Sequence, residues 1–130
     1  MKALWFKGLV VVALGLSGGG LAVAGVRWTS EVAISTTARW AQGAMGSARN
    51  STDSTQYIAC SNTNDYVYCS ARNEAGTYVH CDAYSAALAG TLRGVDSSAF
   101  LIFYWTGAAT SGTCSSITVE HGSGYAPKNP

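Results

Sequence analysis

His80 and Asp82 are separated by one residue, a spacing that in a strand puts both side chains on the same face. A histidine beside a carboxylate can act as an oriented general base, or as two ligands of a metal ion. Nucleophilic catalysis would also need a positioned serine or thiol. No G-x-S-x-G elbow or comparable context selects one of the chain's many serines. Glu120-His121 is a second histidine–carboxylate pair, which with His80 and Asp82 would make a divalent-metal site if the two segments met. The simpler assignment is a polar patch at the end of a strand. The expectation is therefore no catalytic residue, no metal site and no cofactor.

Two other groups of residues suit binding better than catalysis. Arg49-Asn50-Ser51-Thr52-Asp53 puts a guanidinium, an amide, two hydroxyls and a carboxylate in one loop. Arg49, Asn50 and Asp53 are its candidate ligand contacts, although such residues also satisfy their own backbone through Asx and Ser/Thr turns. Asn50-Ser51-Thr52 also fits a glycosylation sequon. The second group is aromatic. Tyr57-Ile58-Ala59-Cys60, Tyr66-Val67-Tyr68-Cys69 and Tyr78-Val79-His80-Cys81 repeat one pattern of tyrosine, β-branched residue, variable residue and cysteine. Alternation in a strand places the β-branched residue and the cysteine on one face. Tyr57, Tyr66, Tyr68 and Tyr78 then take the opposite face, as an aromatic platform or as a layer covered by the N-terminal segment with Trp28 and Trp40.

The elements that must hold these residues follow from turn chemistry. If Cys60 faces Cys69, Asn64-Asp65 forms a two-residue turn; if Cys69 faces Cys81, Glu74-Ala75-Gly76 forms a three-residue loop with Gly76 left-handed. Both registers keep Ile58, Val67 and Val79 on the cysteine side, so a three-stranded meander is expected. Next, Ser85 suits a helix N-cap, Leu88, Leu92 and Val95 follow at helical spacing, and Gly94 can end the helix in a left-handed cap. Phe100 to Trp105 reads as a strand covered on both faces, and Cys114 to Glu120 as a final strand. Before the meander, Val26 to Ile34 suits a strand, Thr36 to Gln42 a helical turn and Arg49 to Thr55 a loop. The sum is an α+β domain with a mostly antiparallel sheet of about five strands and one short helix.

The ends and composition fix the setting. Lys2 and Lys7, the apolar run Leu9 to Leu16 and the small-x-small site Ala22-Val23-Ala24 form an export signal over residues 1–24. A single exported domain is expected over 25–130, in a secreted or periplasmic location. Without Lys2 and Lys7, six of the eight Lys/Arg remain against seven Asp/Glu, a formal charge of −1. That balance lacks the basic footprint of nucleic-acid binding and the polybasic cluster of a membrane-surface protein. Cys60, Cys69, Cys81 and Cys114 all lie in the exported part, and no pair has C-x2-4-C zinc spacing. They read as two disulfides with three pairings open.

The stretch Gly43-Ala44-Met45-Gly46-Ser47-Ala48-Arg49-Asn50-Ser51, with Tyr57-Ile58-Ala59-Cys60 and the later Phe103-Tyr104-Trp105, resembles small exported bacterial proteins of uncharacterised function. The resemblance covers most of the exported part and implies no activity, cofactor or catalytic residue. The leading expectation is a non-enzymatic binding module for a glycan, another cell-envelope component or a protein. A hydrolase inhibitor presenting Arg49 or Arg72 is the alternative, followed by a small enzyme using His80 and Asp82, and by self-association through sheet edges.

Overall fold

The computed structural model describes residues 28–125; the expected export signal and its cleavage site lie outside the described residues. Seven strands form one open sheet with two short helices: β1 (Ala33–Ser35), β2 (Trp40–Ala44), α1 (Met45–Arg49), β3 (Tyr57–Thr63), β4 (Tyr66–Arg72), β5 (Tyr78–Tyr84), α2 (Ala86–Thr91), β6 (Phe100–Gly107) and β7 (Ser111–Glu120). Their order across the sheet is β1-β2-β6-β7-β5-β4-β3.

The meander has the expected register. Cys60 lies opposite Cys69, and Cys69 opposite Cys81. Asn64 takes a positive φ of 54° in the first turn, and Gly76 takes φ 84° in the second. Asn73 closes the second loop, accepting from Gly76 N–H through its carbonyl and from Thr77 N–H through its side chain. The disulfides are Cys60–Cys69, between β3 and β4, and Cys81–Cys114, between β5 and β7.

The sheet has seven strands instead of about five, and one of its pairings is parallel. β5 and β7 run parallel through only three residue pairs, His80–Ser111, Cys81–Gly112 and Asp82–Thr113. This short seam joins the meander to the antiparallel set β1-β2-β6-β7. Strand β2 comes from the segment where a helical turn was expected, whereas β1 falls at the end of the strand expected over Val26 to Ile34. Arg39, at φ 56°, reverses the chain so that β2 runs back beside β1 and pairs with β6 over five residues. Ala41 and Gly43 then face the core, and Gly43 lets the Val32 backbone approach to where a Cβ would lie at 3.2 Å.

The core fills the cysteine face. Val67, Cys69, Ala71, Val79, Cys81, Leu101, Phe103 and Trp105 are buried there, closed over by Ala89 and Leu92. The Ser85 hydroxyl accepts from Leu88 N–H at 3.3 Å, capping α2 as expected. The helix nevertheless stops at Thr91. Three-residue turn bonds such as Arg93 N–H to Gly90 C=O satisfy its last carbonyls, and Gly94 does not enter the left-handed region. Strand β6 is paired on both edges but buried on one face only; Tyr104, on its outer face, is 41% exposed.

Candidate binding face

The register of β3, β4 and β5 arranges the outer face as four rows across the strands. They are Tyr57–Arg72–Tyr78, Ala59–Ser70–His80, Ser61–Tyr68–Asp82 and Thr63–Tyr66–Tyr84. Small side chains in the second row leave room for the long ones beside it. The Tyr68 and Tyr78 hydroxyls meet diagonally across it at 2.8 Å, and Ser70, on that row, is buried. The His80 ring stacks on both tyrosines, with centroids 6.0 Å from Tyr68 and 5.5 Å from Tyr78. The Arg72 guanidinium lies 5.5 Å from the centre of the Tyr78 ring, a cation–π distance. Tyr66 packs on Tyr84 at 5.0 Å.

The hydroxyl bridge raises the pKa of Tyr78 to about 12, first through its hydrogen bond with Tyr68 and then through burial. Burial, followed by the Asp82 carboxylate, raises that of Tyr66. Both phenols stay neutral at physiological pH and offer hydroxyls as donors or acceptors. The four predicted tyrosines thus share one face, with Tyr57 exposed and Tyr66, Tyr68 and Tyr78 half-buried, and none of their ring contacts is made to Trp28 or Trp40. Trp28 instead packs edge-on against Tyr125 at 5.2 Å, and Tyr125 stacks on Phe100 at 5.5 Å, beside β6. Sequence reasoning left out Tyr84, which is 85% exposed. It continues the alternation of Tyr78, His80 and Asp82, so the pattern that found the others also contained it.

His80 and Asp82 share the face but do not form an oriented pair. His80 Nδ1 is buried without a hydrogen-bond partner, while Asp82 sits in the next row beside Tyr68. The histidine serves as a stacking ring between two tyrosines. Nor do the two histidine–carboxylate pairs assemble. His80 lies opposite Ser111 on β7, nine residues before Glu120, about 30 Å away at the usual strand rise. Glu120 accepts from Tyr125 OH at 3.1 Å, and His121 Nδ1 lies 3.9 Å from Asp96. Among the described residues, the metal-spaced group is Cys69, Cys81 and Cys114, whose sulfurs are held in the two disulfides.

The Arg49–Asp53 segment adjoins this face through Tyr57. Arg49 ends α1, and Asp53 folds the following loop on itself. One Asp53 oxygen accepts from Thr55 N–H and Gln56 N–H, and the other from Gln56 Nε2 at 2.7 Å. These bonds, those to Gln56 foremost, hold the Asp53 carboxyl down at about 2. Gln56 in turn accepts from Val32 N–H at 2.9 Å through Oε1, tying the loop to the chain before β1. Arg49, Asp53 and Tyr57 line a cavity of about 580 Å³ whose apolar lining includes Met45, Ile58 and Val95. Tyr66 and Tyr84, with the Asn64-Asp65 turn, line a second hollow of about 490 Å³ at the other end of the face.

Compared with protein-family models, curated proteins and solved structures, the chain matches none of them. Two disulfides fit an oxidising compartment. Among the described residues, no helix is long and apolar enough to cross a membrane.

Proposed function

We propose that this chain is an exported, non-enzymatic binding module that takes a glycan, another cell-envelope component or a protein on the outer face of β3, β4 and β5. The observation that carries this reading is the half-exposed cluster in which His80 stacks on Tyr68 and Tyr78 and their two hydroxyls hydrogen-bond. Rings already fixed by neighbours lose little conformational freedom on binding. Flat apolar surfaces edged by hydroxyls suit a sugar ring or an extended chain with alternating polar and apolar groups. Among the described residues, no positioned nucleophile or oriented base accompanies the cluster, and the reading is therefore of binding rather than turnover. The inhibitor reading draws less support, because Arg72 lies within a strand, against Tyr78, instead of at the tip of a loop.

The test is tyrosine and tryptophan fluorescence of the oxidised protein, quenched by acrylamide with and without cell-envelope polysaccharide or envelope protein extract. Protection from quenching is expected on adding the ligand-bearing fraction. It should be lost in the Tyr66→Ala, Tyr68→Ala double variant. Unchanged binding by that variant would remove the tyrosine face from the function.

A further inference from the structure

The cavity beside α1 carries an inference that goes beyond the tyrosine face, with which it shares only Tyr57. Its lining contains one cation and two anions, Arg49, Asp53 and Asp96. Among the described residues, the Arg49 side chain forms no ion pair or hydrogen bond, and neither carboxylate neutralises it. Both carboxylates stay ionised. Asp53 is held down at about 2 by its bonds to Gln56, and Asp96 is lowered by the Ser98 hydroxyl and N–H. Opposite charges are therefore held apart around one hollow with an apolar lining that includes Met45, Ile58 and Val95.

That arrangement selects among ligand classes by charge count. A simple anion placed on Arg49 would also feel two carboxylates in the same pocket, and a simple cation would feel the guanidinium. A ligand with one charge of each sign and an apolar body satisfies all three parts. The volume, about 580 Å³, lies within the range of small-ligand sites and exceeds what a single small amino acid fills. We infer that this cavity binds a short zwitterionic peptide, its carboxylate on Arg49, its ammonium towards Asp53 and Asp96, and an apolar side chain on Ile58 and Val95.

The probe is the dipeptide leucyl-leucine, titrated into the oxidised protein and followed by backbone amide chemical shifts. Shifts are expected at Arg49, Ile58 and Val95. Amidating the peptide's C-terminus removes its partner for Arg49, and affinity should fall about tenfold or more. N-acetylation should cost a similar factor by removing the ammonium. Arg49→Gln, a change at an exposed and unpaired side chain, should weaken leucyl-leucine as much as amidation does. In that variant, amidation should cost nothing further. Three outcomes would overturn the assignment: no shifts at millimolar peptide, equal affinity for the free and doubly blocked peptides, or shifts confined to Tyr66, Tyr68 and Tyr78. Failure here leaves the tyrosine-face reading untouched, since that is read with polysaccharide or envelope protein and a different variant.

Discussion

Removing the Cys81–Cys114 disulfide should cost more than removing Cys60–Cys69, and the difference can be worked from the chain. The bonds close loops with sequence separations of 33 and 9. In the loop-entropy description these lengths correspond to about 3.7 and about 2.6 kcal/mol, a gap of roughly 1.1 kcal/mol. Packing acts in the same direction. Cys81 and Cys114 are both buried, whereas Cys60 is only partly so. Topology adds a qualitative difference, because Cys81–Cys114 spans the three-pair parallel seam and Cys60–Cys69 lies within a hairpin paired over seven residues. The assay is urea unfolding at neutral pH of the Cys81→Ala, Cys114→Ala and the Cys60→Ala, Cys69→Ala double variants, each against the oxidised parent. The first variant should lose more stability and show a broader or two-step transition as the halves uncouple. Equal costs, or a larger cost for the hairpin bond, would refute the reasoning.

The alkaline side of the stability curve should report the Tyr68–Tyr78 bridge. A raised folded-state pKa leaves stability intact below about pH 10 and removes it as pH climbs towards about 12. Tyr68→Phe should move Tyr78 ionisation, followed by absorbance near 295 nm, back towards the ordinary phenol range and flatten that decline. Two glycine substitutions should have opposite signs. At Gly112, a Cβ would collide with the Thr106 carbonyl, so Gly112→Ala should destabilise by at least about 1–3 kcal/mol. Gly90 on α2 has open space around its Cβ position, and Gly90→Ala should stabilise by about 0.5–1 kcal/mol in the same unfolding assay.

The meander was legible because three local signals converge in it. Alternation, an Asn-Asp turn and a left-handed Gly76 all specify one register, and each acts within a few residues. Strand β2 was not legible for the opposite reason. Trp40-Ala41-Gln42-Gly43-Ala44 is too poor in β-branched residues to announce a strand, and what holds it extended is pairing to β6, some sixty residues later. Arg39 at positive φ gave no warning, since arginine has no preference for that region. The tyrosine face could be read from period-two spacing alone. The cavity could not, because Met45, Ile58 and Val95 come from three separated segments and meet only in the folded chain.

The Sγ atoms of Cys69, Cys81 and Cys114 lie within 4.8 Å of one another. During oxidation, a Cys69 thiolate therefore has a second target besides Cys60, because Cys81 is its register partner on the neighbouring strand. Thiol–disulfide exchange needs little more than such an approach. Loop length barely separates the native pairing from its isomer, since Cys69 is nine residues from Cys60 and twelve from Cys81; what separates them is the strand register that brings Cys114 to Cys81. Closing the β3–β4 hairpin first occupies Cys69 and leaves Cys81 with Cys114 as its remaining partner. Acid-trapped reoxidation intermediates would show that order. Once closed, the shorter disulfide removes the thiol that could divert Cys81 from Cys114.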